Sequence, residues 1–381
     1  MKQKLYLFIT IILCLVSSVK LLPQNQILAN EGPKIEKNTE TNTDNDKKTL
    51  TIRSIGDILL HDYVYENALT DTGYDFDYMF EDVQPYISNA DISMANLETI
   101  AAGDDLGVSS YPLFNAPNSI VSSLKSSGID IVNNATNHTM DRGVEGALAS
   151  IQNLKTHEMN YVGSYENWDD YNNLRIIEHN GVKVGFLSYT YGLNGNYLPE
   201  DQTYLATLID TELIPLEIKR LKEHCDVAVV IFHAGEEYDH YPNQQQIDLF
   251  EIAKEAGANF VVGGHPHVLQ PAIIWNEQQG GIFSHGNFLS GQVGLYKKLG
   301  AVWEFEFNIT NSDNIRLEAI RMMPTYCMGY PEYNVFKVIP LADAESWAVG
   351  DVNSLMKELE AIVTSQGNTD KIEVVKYLSK K

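Results

Sequence analysis

The chain has 381 residues, enough to bury a sizeable core in one large α/β domain or in two modest ones. Its composition, with 44% hydrophobic and 10% aromatic residues, is typical of a folded globular protein and excludes a mainly disordered chain. The formal net charge of -24 repels nucleic-acid phosphates, so we expect no nucleic-acid partner. The same charge opposes a free polyanion unless bridging cations or a local exception in the surface charge offset the repulsion.

The N-terminal residues have the pattern of an export signal. Lys2 and Lys4 precede an apolar run that extends from Leu5 to Val16. The run is shorter than the about 20 apolar residues of a membrane-spanning helix, so residues 1–22 are predicted to be either a cleaved signal peptide or an uncleaved anchor. Residues 23–48 are polar and predict a flexible stalk. We therefore expect a bacterial protein that is extracellular or at the cell surface, secreted or anchored in the membrane.

The cysteine pattern implies no disulfide framework. Cys14 lies inside the apolar run. Cys225 and Cys327 either pair outside the cell or remain two isolated buried thiols.

From Thr49 onward, short apolar runs alternate with helical patterns. Runs such as GIDIVNNA and DVAVVIFHAG are typical of strands buried on both faces of a sheet, and helical spacing recurs between them. The class is therefore α/β, with one domain predicted over residues 49–340. After residue 295, AVWEFEFNIT and NIRLEAIRMMP alternate as an antiparallel pair. Residues 341–381 are predicted to form a C-terminal extension with one helix, in LMKELEAIVTSQG.

Polar residues with metal-binding side chains recur where the predicted strands end. The carboxyl ends of parallel strands gather along one sheet edge, where such proteins carry their chemistry. Neutral imidazoles and carboxylates are the ligands of Zn, Mn and Fe at hydrolytic sites, and a bridging carboxylate can hold two ions. The sequence therefore predicts one or two divalent transition metal ions. The candidate residues are Asp57, Glu98, Asn137, His138, His233, His265 and His267.

Two motifs carry most of this prediction. In GGHPH, His265 and His267 are separated by one residue on a glycine-containing strand end, so both rings reach one cleft region. In NNATNHTMDRG, Asn137 and His138 are adjacent in a loop, which is a poor arrangement for packing and favours a functional role. The turn SHGNF is equally compatible with a structural and a functional role, with Asn287 positioning a neighbour.

Six motifs in a fixed order resemble the poly-γ-glutamate capsule-synthesis CapA family across roughly residues 50–295. They are GDILLHDYV, ANLET, NNATNHTMDRG, IFHAGEEYDHYPNQQQ, VVGGHPHVLQP and FSHGNFLSGQ. That family is similar to calcineurin-like metallophosphoesterases. The resemblance therefore implies a β-sandwich flanked by helices, in four layers α/β/β/α.

The resemblance also implies roles for individual residues. Glu98 takes the place of a bridging Asp between two ions. His138 is the general acid or oxyanion stabiliser, and Asp141 orients its imidazole. The implied metal ligands are Asp57, Glu98, Asn137, His233, His265 and His267.

One position departs from the metallophosphoesterase pattern. These enzymes place a His two residues after the first Asp, and here that residue is Leu59. One ion would lose a ligand unless His61 substitutes.

Three functions follow from these residues. The first is a role in poly-γ-glutamate or capsule synthesis or export, beside membrane proteins of a synthesis complex. The second is a secreted metal-dependent hydrolase of a phosphoester or amide. The third is a non-enzymatic component that binds an anionic polymer with the help of cations. In each case the membrane itself is a partner if the N-terminal segment stays uncleaved.

Overall fold

The structure of the protein is a computed structural model, and it describes residues 48–311, 314–367 and 369–380. The predicted signal peptide or anchor, and the predicted stalk apart from Lys48, lie outside the described residues. Among the described residues, no helix has both the length and the apolar character needed to cross a bilayer.

The described residues contain seventeen strands and ten α-helices. The strands are β1 (Lys48–Leu59), β2 (Leu69–Thr70), β3 (Gly73–Tyr74), β4 (Ile92–Asn96), β5 (Ile131–Asn133), β6 (Asn160–Val162), β7 (Arg175–His179), β8 (Val182–Thr190), β9 (Val227–His233), β10 (Phe260–Gly264), β11 (Ala272–Ile274), β12 (Gly280–Ile282), β13 (Asn287–Ser290), β14 (Leu299–Asn311), β15 (Asn314–Met328), β16 (Lys337–Pro340) and β17 (Ile372–Val374). The helices are α1 (Asp62–Asn67), α2 (Asp77–Phe80), α3 (Gln84–Ile87), α4 (Ser119–Ser126), α5 (Gly143–Thr156), α6 (Trp168–Asn172), α7 (Ile214–Lys222), α8 (Gln244–Ala256), α9 (Ser346–Val349) and α10 (Val352–Val363).

Two large sheets organise these strands. The first has the order β16-β15-β14-β1-β4-β5-β6, with β13 paired to β1 and β17 paired to β15. The second has the order β11-β12-β10-β9-β8-β7, and β2 with β3 forms a small separate ribbon. Strand β1 lies at the centre of the first sheet: it runs parallel to β4 and β13 and antiparallel to β14. The predicted antiparallel pair after residue 295 is β14 with β15.

The two sheets pack face to face, with helices on their outer faces. Apolar side chains of both sheets share one core, where the rings of Phe260 in β10 and Phe305 in β14 have centroids 3.8 Å apart. Helices α4 and α5 cover the outer face of the first sheet, and α7 and α8 cover that of the second. Burial of these apolar faces drives the layers together. The predicted four-layer α/β/β/α sandwich is confirmed.

The residues after Pro340 belong to the same core. Leu355 and Leu359 of α10 are buried among the apolar side chains that join the two sheets. Strand β17 adds to β15 in the first sheet. The C-terminal residues therefore pack against the domain and do not trail from it.

Neither Cys225 nor Cys327 forms a disulfide, and both are buried. Burial raises the pKa of each thiol to about 11. The two cysteines therefore behave as small apolar residues of the core.

Candidate metal centre

The six predicted ligands meet where strands of both sheets end. Strands β1, β4 and β5 of the first sheet and β9 and β10 of the second carry them, within the strand or in the loop that follows. All six side chains are buried, and they are Asp57, Glu98, Asn137, His233, His265 and His267.

Asp57 is held through both of its carboxylate oxygens. Oδ1 accepts a hydrogen bond of 2.7 Å from Nδ2 of Asn96 and lies 3.0 Å from Nε2 of His285. Oδ2 lies 3.0 Å from Nδ1 of His267. Burial alone would raise the pKa of Asp57, but the hydrogen bonds from His267 and His285 outweigh it and hold the pKa well below its usual range. Asp57 is therefore an ionised, preoriented carboxylate.

Glu98 has the opposite environment. It is fully buried, and neither carboxylate oxygen has a hydrogen-bond partner. Two imidazoles lie close to it: Nε2 of His233 is 3.6 Å from Oε1, and Nε2 of His267 is 3.7 Å from the same oxygen. Burial raises the pKa of Glu98 well above its usual range. A buried carboxylate without partners is costly, so this position calls for a cation.

Two groups of ligand atoms overlap at Glu98. In one, Glu98 joins Asp57 and His267; in the other, it joins His233 and His265, and the ligand atoms of each group lie within 4.8 Å of one another. Asn137 extends the second group, because its Oδ1 lies 2.8 Å from Nε2 of His233. The arrangement could hold one or two divalent ions that share Glu98, the role that the family resemblance implies for this residue.

The protonation of two of the histidines, His233 and His265, suits this use. Burial lowers the pKa of His233 well below its usual range, and burial together with the charge of His267 lowers the pKa of His265 to about 3. Both imidazoles are thus neutral, the form that binds metals. Nδ1 of His265 is buried without a hydrogen-bond partner. A set of neutral imidazoles, carboxylates and an amide oxygen fits Zn, Mn or Fe.

His138 lies beside this set and outside both groups. Its Nδ1 donates to Oδ2 of Asp141 at 2.7 Å, and the same oxygen accepts the backbone N–H of Phe114 at 2.8 Å. The Phe114 ring packs edge-on against the imidazole, with centroids 4.7 Å apart. Asp141 therefore fixes the ring orientation and leaves Nε2 as the free nitrogen.

His61 is engaged in hydrogen bonds outside the ligand groups. Nδ1 of His61 lies 3.1 Å from the carbonyl of Leu59 and 3.3 Å from the backbone nitrogen of Gly291, and His61 belongs to none of the three ligand groups among the described residues. Leu59 itself is buried. The structure therefore does not bring His61 into the role of the missing ligand.

Four further residues of the centre were not singled out from the sequence. His285 and Asn96 contact Asp57 directly, and Asn133 donates to Oδ1 of Asn96 at 2.6 Å. Glu237 is exposed, and its carboxylate is grouped with His265 and His267. The motifs SHGN, ANLE, VNNA and HAGEE contained these residues, but each residue taken alone had an ordinary structural explanation.

The loop that carries two of the histidines has an uncommon backbone. His265 and His267 have φ angles of 94° and 60°, in the left-handed region that side chains with a Cβ disfavour. Such positions cost about 1–3 kcal/mol each and persist only where surrounding structure enforces them. At Gly264 a Cβ would lie 2.9 Å from Nε2 of His285, so glycine allows the close packing beneath the site.

A known protein family matches the part of the chain that carries the centre. The family described as "Bacterial capsule synthesis protein PGA_cap" matches residues 51–292. The chain belongs to this family. The match covers every residue of the centre, from Asp57 to His285, and confirms the resemblance to CapA proteins.

Two curated relatives of the PGA_cap chain come from Bacillus. "Capsule biosynthesis protein CapA" of Bacillus anthracis is 32% identical over 260 residues, which cover 65% of this chain and 61% of that protein. "PGA biosynthesis protein CapA" of Bacillus subtilis (strain 168) is 29% identical over 248 residues, which cover 64% of each. The chain thus spans less than two thirds of the length of either relative.

Solved structures resemble this PGA_cap chain at low sequence identity. The NAD nucleotidase of Haemophilus influenzae is 11% identical, with a TM-score of 0.46, over 87% of this chain and 58% of the other. A 5'-nucleotidase precursor from Thermus thermophilus is 15% identical, with a TM-score of 0.41, over 82% of this chain and 59% of the other.

Proposed function

We propose that the protein is a metal-dependent enzyme of poly-γ-glutamate capsule biosynthesis that breaks or transfers a phosphoester or amide bond. The observation that carries this proposal is Glu98, whose fully buried carboxylate has no hydrogen-bond partner and belongs to two groups of ligand atoms. A purely structural glutamate in this position would be better replaced by an apolar residue.

Some residues of the centre would bind the ions, and another would transfer a proton. Bound ions would supply Lewis acidity and lower the pKa of a water molecule. Asp57 is ionised, and Glu98 would lose its proton to a bound ion, so both would supply the negative charge that retains the ions. The imidazoles of His233 and His265 are neutral and can act as ligands. His138, fixed by Asp141, offers Nε2 for proton transfer to the leaving group.

The charge of the protein bears on its substrate. A chain with a formal charge of -24 repels anionic polymers, and the bound ions would supply the local positive charge that offsets this repulsion. The names of both Bacillus relatives refer to capsule or PGA biosynthesis, which supports an anionic capsule polymer or its precursor as the substrate.

The proposed location is outside the cytoplasmic membrane, beside membrane proteins of the synthesis complex. Its support is the sequence pattern of Lys2 and Lys4 before the apolar run from Leu5 to Val16. Protease added to intact cells stripped of wall should digest the domain. Complete protection would exclude this location.

The experiment for the catalytic proposal uses the purified protein loaded with Mn or Zn. Metal content is measured by elemental analysis, and turnover is followed with bis(p-nitrophenyl) phosphate and with γ-linked glutamate oligomers. Glu98→Gln should lose both bound metal and turnover. Glu255→Gln, at an exposed position of α8, is the matched control and should retain both.

Two results would contradict the proposal. Wild-type protein that takes up neither Mn nor Zn would remove the metal centre. Metal uptake without turnover of either substrate class would leave a cation-dependent binding component in place of an enzyme.

A further inference from the structure

We propose that Glu237 is an additional metal ligand on the solvent side of the centre and restores the donor lost at Leu59. This inference rests on the proposed function, since it concerns the same ions. Nothing in the motif HAGEEY distinguishes Glu237 from its neighbour Glu236 at the level of sequence.

The first argument is geometric. A carboxylate oxygen of Glu237 and ring nitrogens of His265 and His267 lie within 4.8 Å of one another. His267 also belongs to the group with Asp57 and Glu98, and His265 to the group with Glu98 and His233. Glu237 therefore stands beside one ligand from each of the two buried groups.

The second argument is that the backbone fixes this position. The N–H of Tyr238 donates to the carbonyl of Pro266 at 2.8 Å, and the N–H of Ala234 donates to the carbonyl of Gly264 at 3.1 Å. These bonds tie the loop of Glu237 to the loop of His265 and His267.

Residues with positive φ angles lie on both sides of Glu237 in the sequence. Tyr238, the next residue, has a φ of 68°, and Gly235 has a φ of 133°. A Cβ at Gly235 would lie 2.7 Å from the side chain of Gln246, so the turn depends on glycine there. A strained turn that holds an exposed carboxylate against two buried histidines is typical of a binding site.

The third argument is the number and exposure of the donors. Asp57 and Glu98 are buried carboxylates, so they define the closed side of the centre. Glu237 is the carboxylate in these groups that solvent reaches, and it adds an oxygen donor to a set that has one nitrogen donor fewer because residue 59 is Leu. Oxygen and nitrogen donors are both suitable for Mn, Zn and Fe.

His285 does not supply the missing metal ligand. Its Nε2 already faces Oδ1 of Asp57, an oxygen that Asn96 also contacts, and it lies close against the backbone of Gly264. His285 is thus a residue that orients Asp57, as outer hydrogen-bonding partners of metal ligands do.

The test compares the wild-type chain with Glu237→Gln and Glu236→Gln. Both glutamates are exposed and lie side by side, so the two variants change the net charge equally. Calorimetric titration with Mn²⁺ and with Zn²⁺ measures affinity and stoichiometry without any substrate. We expect Glu237→Gln to weaken the binding of at least one ion by about 10-fold or more, and Glu236→Gln to bind as the wild type does.

The outcomes separate this inference from the proposed function. Equal metal affinity for Glu237→Gln and the wild type would overturn the ligand role of Glu237, even if Glu237→Gln turned over more slowly. Equal weakening in both variants would also overturn it, since the effect would then come from charge alone. Wild-type protein that binds no ion would overturn the proposed function and this inference together.

Discussion

Nε2 of His285 lies 3.0 Å from Oδ1 of Asp57, while Oδ2 of the same carboxylate lies 3.0 Å from Nδ1 of His267. Asp57 is thus held between two histidines, only one of which belongs to a ligand group with it. The two contacts explain why this carboxylate keeps its charge although it is fully buried.

We expect His285→Ala to weaken metal binding by about 10–100-fold, because Asp57 loses a hydrogen-bonding partner that orients it. Calorimetric titration with Zn²⁺ measures the change. His224→Ala, at an exposed position, serves as the control and should bind like the wild type. Unchanged affinity in His285→Ala would show that Asn96 and His267 orient Asp57 without help.

Two other histidines should separate metal binding from chemistry. His265→Ala removes a ligand and should sharply reduce the bound metal. His138→Ala removes the residue that Asp141 orients, so it should keep its metal while turnover falls by about 10²–10⁴-fold. Elemental analysis and rates are measured on the same preparations. Loss of metal in both variants would place His138 among the ligands.

Metal affinity should rise with pH. Burial disfavours the charged form of His267, but Glu98 and Asp57 outweigh it and raise the pKa of His267 to about 9. Without metal, His267 therefore holds a proton at neutral pH, and an ion has to displace it. Affinity should increase by about tenfold per pH unit as the pH rises towards 9 and then level off. Titrations at several pH values check this, and a flat profile between about pH 6 and 8 would contradict it.

A buried ion pair outside the ligand groups should matter for stability. Arg53 is 1% exposed and donates from Nε to Oε2 of Glu304 at 2.9 Å. Arg53→Ala leaves Glu304 without this partner and should lower the free energy of unfolding by about 3–5 kcal/mol in urea titrations. The exposed pair of Arg316 and Glu277 serves as the control. Arg316→Ala should change the free energy of unfolding by less than about 1 kcal/mol. Similar losses in both variants would mean that burial does not control the effect.

The sequence predicted the sheet class and much of the centre for one physical reason. Side chains that follow buried parallel strands gather at one edge, as Glu98 after β4 and His233 at the end of β9 do. His285 also follows a parallel strand, β12, but the turn SHGNF that carries it was equally compatible with a structural role. The parallel pairing of Asp57 with Asn287, which brings His285 close, is a register that no local pattern shows.

Other residues were missed because their role depends on contacts across the fold. Asn96 and Asn133 lie at strand ends that typically carry Asn for turn geometry, and only the paired strands reveal their hydrogen bond. Glu237 differs from Glu236 only through the backbone that aims one carboxylate at His265 and His267. The substitute proposed for Leu59 from sequence was His61, which is close in the chain but bonded to Gly291.

The position of β1 in the middle of its sheet has a consequence for how the chain folds. On one side β1 pairs with β4, which is close in sequence. On the other side its partner is β14, so Ile55 can pair with Val302 only after that residue has been synthesised. The centre of the sheet therefore keeps an open edge until residue 302 has left the ribosome. Pairings between such distant segments make folding slow. Most of the chain is thus synthesised before its native sheet can close.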